Sequence, residues 1–171
     1  MSHSPVTEIL TPRLKLRRAQ PGDAEALHEV FSDPRAMRYW STPPHAVFEQ
    51  TLRFVQEMVD ASTERSDDFV VELGDRVVGK AGCWRLPELG YILHPDLWGQ
   101  GLAREALQAV VARMFHVRGL DALTADVDPR NDRSLGLLNR LGFRETHRAE
   151  RNYLVGEEWC DSVYLRLDRV D

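Results

Sequence analysis

The order of patterned segments predicts an α+β or mixed α/β domain around one sheet. Three observations carry this. Two helix-like stretches come early, with apolar residues at Leu27, Val30 and Phe31 and then at Phe48, Leu52, Val55 and Val59. Short strand-like segments follow from Asp68 to Leu93. The last third then runs strand, helix, strand, helix, strand, an order that fits helices packed on a single sheet.

Each element has its own signal. "ILTPRLKLRRA" alternates through Leu14 and Leu16 and reads as a first strand. "PGDAEALHEVFSD" follows, with Asp23 placed to cap a helix and Asp33-Pro34 to end it. Pro43 and Pro44 stand where the start of the second helix tolerates proline. "DFVVELGDRVVGKAGCW" reads as two strands turning tightly at Gly74-Asp75. "ELGYILHP" is a third short strand, closed by His94-Pro95, which makes His94 a strand-end residue rather than a catalyst. Ala103, Ala106, Leu107, Val110, Val111 and Met114 form a helical stripe that Gly119 stops. "ALTADVD" alternates Leu123, Ala125 and Val127, as a strand with one buried face does. "DPRNDRSLGLLNRLGF" is a turn and a short helix through Leu135, Leu138 and Leu141, closed by Gly142; "EEWCDSVYLRLDR" supplies the last strand.

The chain length of 171 residues suits one domain spanning 1–171, and 43% hydrophobic residues suffice for a core. A formal charge of −5 argues against a nucleic-acid binder, for which only the early helices and Arg35 and Arg38 speak. Cys83 and Cys160 are far apart, without CxxC or ligand-spaced histidines, so no metal site is read; both are expected as small buried residues. The opening "MSHSPVTEIL" lacks a secretory pattern, and no stretch nears the ~18 apolar residues of a membrane span. A soluble cytoplasmic chain is the default expectation, with no membrane partner and no oligomeric state legible.

The chemistry concentrates in "HPDLWGQGLAREAL", where Gly99 and Gly101 stand between a strand and a helix. Glycines before a helix start let a phosphate approach unpaired backbone N–H groups. A dinucleotide fingerprint is discounted because Arg104 stands where its third glycine belongs, and because the preceding strands read as antiparallel. The G-x-x-x-x-G-K-[ST] pattern is absent. An ordinary glycine turn remains open on this segment alone.

"LWGQGLAREAL" resembles the coenzyme A loop of the GNAT superfamily of N-acetyltransferases, with Trp98 departing from the usual first position. "LTPRLKLRRAQPGDAEAL" and "NDRSLGLLNRLGFRE" resemble, in the same order, the opening segment and second motif of the branch that acetylates ribosomal-protein N-termini. The resemblance implies a central, mostly antiparallel twisted sheet flanked by helices, and direct acetyl transfer from acetyl-CoA to a primary amine without a metal. Backbone N–H groups across Gly99, Gln100, Gly101, Leu102, Ala103 and Arg104 would hold the pyrophosphate. The N–H of Ile92 would bond the thioester oxygen.

By the same resemblance, Glu88 stands where many members place a general base; it also reads as a solvated edge glutamate. Ser134 would face the coenzyme sulfur, and also reads as a helix cap. Asn131 would touch the pantetheine, and also reads as a turn residue. Leu138 occupies the position where many members carry a proton-donating tyrosine. Tyr39 and Trp40, in "MRYWSTPPH", would line the acceptor cleft or cap the core. The acceptor, a small molecule or a protein N-terminus, is not legible, nor is acetyl against a longer acyl group. A catalytically inactive acyl-CoA-binding module is the alternative, against which the retention of Glu88 and Ser134 weighs.

Overall fold

The computed structural model describes residues 7–170; the first six residues, part of the opening stretch read as carrying no leader, lie outside the described residues. One eight-stranded sheet runs through the molecule in the order β1-β2-β3-β4-β5-β6-β8-β7. The strands are β1 (Glu8–Leu10), β2 (Leu14–Arg17), β3 (Asp67–Leu73), β4 (Arg76–Arg85), β5 (Glu88–Leu93), β6 (Ala122–Val127), β7 (Arg144–Val155) and β8 (Glu158–Asp168). All neighbours are antiparallel except β5 and β6. That single parallel junction creates the site.

Helices α1 (Ala24–Phe31), α2 (Pro34–Met37) and α3 (Phe48–Asp60) contribute to one core, and α4 (Leu102–His116) and α5 (Asp132–Arg140) to another. The strand period of two divides β3 between them: Phe69 and Val71 pack with Leu107, Met114 and Phe143, whereas Val70 packs with Leu27, Phe31 and Val55. Among the described residues, no helix is long and apolar enough to cross a membrane.

The local signals hold where backbone chemistry dictates them. Leu73 and Arg76 pair across Gly74-Asp75, and Gly74 takes φ +62 in that turn. Gly119 ends α4 in the left-handed region, with the Leu120 N–H donating to Met114 O at 3.0 Å.

Four expectations are corrected. The opening strand is two, because Thr11 turns the chain back: its hydroxyl accepts from Leu14 N–H at 2.9 Å. Asp23 precedes α1 but does not cap it; its carboxylate takes the Gln20 N–H at 2.7 Å and both terminal nitrogens of Arg17. On α3 the buried face is Thr51 and Val55 with Phe54 and Met58 beside them, while Phe48, Leu52 and Val59 are exposed; the helix begins four residues beyond Pro44. The twelve-residue β7 was not foreseen, since an edge strand exposed along most of its length needs no apolar alternation.

Two clusters brace the elements around the site. Phe31 is fully buried, stacks on His45 at 5.1 Å and packs on Phe54 at 4.5 Å and Trp40 at 5.9 Å between centroids, which fixes the segment after α2 against the sheet. Asp67, also fully buried, opens β3 and pairs with Arg18, with Arg113 at 2.7 Å and with Arg118 at 3.4 Å, tying the sheet to the end of α4.

Candidate active site

Strands β5 and β6 share one rung, Glu88 with Thr124, where Thr124 N–H donates to Pro87 O at 3.1 Å. Past that rung an opening of about 90 Å³ separates them, lined by Leu89, Gly90 and Tyr91 on one side and Ala125 to Asp128 on the other. Parallel strands that part leave the inner peptide groups of each without a strand partner.

Which groups those are follows from the ladder. His94 N–H donates to Val78 O at 2.8 Å, and Lys80 stands opposite Ile92. Peptide groups alternate along a strand, so Gly90, Ile92 and His94 point at β4, and Tyr91 and Leu93 point into the opening. The N–H expected of Ile92 is therefore committed to the ladder, and its side chain packs with α1 and α3. The donors available in the opening belong to Tyr91 and Leu93. The resemblance pointed to the Ile92 amide, and in a strand one residue reverses the direction an amide takes.

Beyond Leu93 the chain makes one 3-10 turn at Pro95–Leu97 and enters the glycine loop. His94 ends the strand as expected, its Nδ1 accepting from Asp96 N–H at 3.2 Å. Gly99 and Gly101 take φ +78 and +77, which side-chain-bearing residues rarely adopt. A Cβ on Gly99 would meet nothing within 4 Å, and one on Gly101 only Arg13 Nη2 at 3.5 Å. Gly101 is the N-cap of α4 and has no side chain to cap with, whereas Asp33 caps α2 and Asn131 caps α5. The first-turn amides of Leu102, Ala103 and Arg104 thus face an open cradle, which suits an anion. Leu102 itself is buried and anchors the helix, while Arg104 and Gln100 are exposed.

Two residues that the sequence reading passed over hold this loop in shape. Arg13 donates to Gln100 O at 2.9 Å and, through Nε, to Glu105 Oε2 at 2.7 Å. Glu105 Oε1 accepts from Thr11 Oγ1 at 2.6 Å and from Arg13 N–H at 2.8 Å. The signal that could have found Glu105 is its place in the first turn of a helix. Trp98 Nε1 donates to Leu93 O at 3.1 Å, and the Arg133 guanidinium lies 4.5 Å from its ring centroid.

On the far wall of the opening, Asn131 Oδ1 accepts from Ser134 N–H at 3.2 Å. The cap of α5 is Asn131, and the cap reading of Ser134 is set aside. Ser134 is buried, and its Oγ accepts from the Tyr91 hydroxyl at 3.1 Å. Burial raises the pKa of Tyr91, so the phenol stays protonated at neutral pH. Tyr91 was missed because the strand pattern marks it only as a core position.

The opening continues into a cleft of about 670 Å³ on the α1–α3 side, with Tyr39, Trp40, Leu89, Gly90 and Asp126 common to both. Glu88 lines it, 3.6 Å from Arg85. Burial, and then the negative charge of Asp126, raise the Glu88 pKa. Asp126, for which the strand pattern gives no signal, is raised in turn by partial desolvation against a hydrogen bond from Ser162. Two carboxylates with raised pKa thus line the cleft, and one of them, Asp126, also borders the opening with Asn131 and Ser134. Arg35 is engaged with Asp33 and Asp96, and Arg38 lies over Tyr39, so neither forms a free basic stripe. Cys83 and Cys160 are buried, and burial pushes the Cys83 thiol up to about 12. Among the described residues no group of three His, Cys, Asp or Glu is placed to hold a metal ion.

The acetyltransferase (GNAT) domain family matches residues 13–144. An uncharacterised N-acetyltransferase, p20 of Bacillus licheniformis, is 32% identical over 80% of this chain and 82% of its own. The spermidine N(1)-acetyltransferase of Escherichia coli K12 is 24% identical, covering 89% and 84%. The [ribosomal protein uS5]-alanine N-acetyltransferase of the same strain is 26% identical, covering 99% and 95%. A GNAT-family acetyltransferase structure from Bacillus anthracis superposes with a TM-score of 0.82 at 26% identity, covering 95% and 98%. A parallel junction that opens beside an uncapped, glycine-led helix is therefore the frame of a known enzyme class, and the chain belongs to the GNAT family of N-acetyltransferases.

Proposed function

We propose that this chain, working as a single domain over residues 1–171, transfers an acetyl group from acetyl-CoA directly to a primary amine. The observation that carries the reading is the opening between β5 and β6, which Asn131 and Ser134 border and which continues into the cleft that Glu88 lines. The glycine cradle fits a pyrophosphate: its Cβ positions are open and the α4 amides are unspent.

When bound, acetyl-CoA supplies the acetyl group as a thioester. Gly99 to Arg104 hold its phosphates, and Asn131 borders the path to the opening. The N–H groups of Tyr91 and Leu93 donate to a carbonyl oxygen placed between the strands; one such donor is worth about 3 kcal/mol of transition-state stabilisation. Ser134 already accepts from Tyr91, so its own O–H is free to hydrogen-bond the departing thiolate, which takes up the proton that the attacking nitrogen releases as the amide forms. Glu88, directly or through water, takes the proton of the incoming ammonium. An α-amine with a pKa of about 8 is about 10% neutral at pH 7, against about 0.04% for a lysine of pKa 10.4, so a modest base suffices for an α-amine. Tyr39 and Trp40 border the acceptor.

Calorimetric titration with acetyl-CoA, coenzyme A and NAD, followed by thiol release with a panel of amines, tests the reading. Micromolar binding of the first two and thiol release with an amine support it. Binding without release on any amine points to the inactive acyl-CoA-binding module, and absence of binding removes both.

A further inference from the structure

The acceptor cleft has a second polar end, away from the opening. Asp68, Lys80 and Glu88 lie on one sheet face, because Asp68 pairs with Gly82, Gly82 with Gly90, and Lys80 and Glu88 are each two residues along from those glycines. Gly90 leaves the floor of the cleft bare on β5, whereas at Gly82, with φ +150, the space of a Cβ is taken by Asp67 O at 2.5 Å and Asp68 Cα at 2.7 Å. A Cβ on Gly90 would meet nothing within 4 Å, so the cleft is open there.

At its far end Lys80 and Asp68 form an ion pair at 2.8 Å, with side chains 2% and 6% exposed, and both line the cleft. The ammonium uses Asp68 Oδ2 and faces the Trp40 ring, 5.7 Å from its centroid. Asp68 Oδ1 is buried and has no hydrogen-bond partner among the described residues. It lies 3.0 Å from where a Cβ on Gly82 would stand, so only a glycine there leaves it room, and Asp68 itself lines the cleft. A buried carboxylate oxygen without a donor is costly, and the site supplies none of its own.

Resting on the acetyl-transfer reading, we propose that Asp68 is a specificity-determining residue: its Oδ1 receives a neutral N–H or O–H donor of the acceptor, carried about 10 Å from the reacting amine. The separation follows from two strand spacings between Asp68 and Gly90, with Glu88 two residues further along β5. Charge selects the kind of donor. Lys80 already balances Asp68, so a second ammonium brought to Oδ1 meets the Lys80 cation at close range. An amide N–H or a hydroxyl satisfies Oδ1 with no charge to bury. About three residues of extended peptide span the distance from an α-amine to such an N–H.

The test compares three amines of equal reach, each titrated into the protein saturated with coenzyme A: a tripeptide amide, an amino alcohol and a diamine. It is repeated in the double variant Asp68→Leu/Lys80→Met, which replaces the pair by apolar side chains and so avoids stranding one buried charge. In the wild type, the peptide amide or the amino alcohol binds at least about tenfold more tightly than the diamine. In the double variant that preference is lost while coenzyme A affinity is unchanged. The proposal is overturned if the wild type shows no preference or prefers the diamine, or if the preference survives in the double variant. Whichever of the two donors binds identifies the acceptor as peptide-like or hydroxylated. Because binding is read without turnover, the catalytic reading is judged separately, by thiol release from acetyl-CoA in the wild type.

Discussion

Replacing Gly101 separates the cost of its backbone from the role of the cradle. Gly101 sits at φ +77, ψ 8, and its missing Cβ would touch only Arg13 Nη2, at 3.5 Å. Steric room is thus not limiting, and the folding cost of Gly101→Ala is the left-handed backbone, about 1–2 kcal/mol. For a chain of this length that lowers Tm by about 2–8 °C. Gly119 provides the matched control at the other end of α4: φ +67, with nothing within 4 Å of its Cβ. Gly119→Ala should lose a similar amount of stability. Only at Gly101 does the new methyl stand beside the uncapped amides of α4. Losing one charge-assisted N–H to phosphate bond there costs about 1.5–3 kcal/mol, which is about tenfold to about a hundredfold in the Kd for acetyl-CoA. Gly101→Asn sharpens the contrast, since asparagine tolerates the left-handed region and keeps the obstruction. Thermal melts and calorimetric titration on the three variants read both quantities. If Gly101→Ala and Gly119→Ala lose equal stability and bind acetyl-CoA equally well, the cradle assignment is wrong.

Ser134→Ala should lower kcat about a hundredfold with KM for acetyl-CoA little changed, and should cost about 1 kcal/mol in stability because the buried Tyr91 hydroxyl loses its acceptor. Tyr91→Phe keeps the serine and should lose less; equal losses for the two would place the proton donor on Tyr91 instead. Glu88 must be ionised to take a proton, and its pKa is raised, so kcat/KM should fall as pH drops through a value above the ordinary carboxylate range; Glu88→Gln should lose that limb of the profile. Asp67→Ala leaves three half-buried arginines without their partner and should cost about 1–3 kcal/mol, read by denaturant titration, with no selective effect on acceptor choice. His45 is held below the ordinary histidine range by burial and then by His28, so the stability it contributes is present above about pH 6.5 and is lost as pH falls below it. His45→Gln should flatten that acid loss of Tm; a loss as steep as in the wild type would show that His45 does not cause it.

What the sequence determined by itself is what depends on local chemistry. The tight turn at Gly74-Asp75, the stop at Gly119 and the left-handed positions at Gly99 and Gly101 follow from backbone sterics, which act within a few residues. The strand–glycine loop–helix order was legible for the same reason, and with it the family. Tertiary structure decided what depends on partners distant in the chain. Thr51, not Phe48 or Leu52, faces inward on α3, because its hydroxyl meets His28 at 2.7 Å and His45 at 2.8 Å. The charged β7 is a strand only because β8 pairs with it. The amides that face the opening belong to Tyr91 and Leu93 rather than Ile92, since the register against β4 sets their direction. Asp126 and Tyr91 join the site because β5 and β6 part after a single rung, and the Asp68–Lys80 pair joins the cleft because the register of β3, β4 and β5 puts it on the same face as the bare Gly90. Periodicity along one segment reports which residues share a face; pairing between segments decides what that face meets.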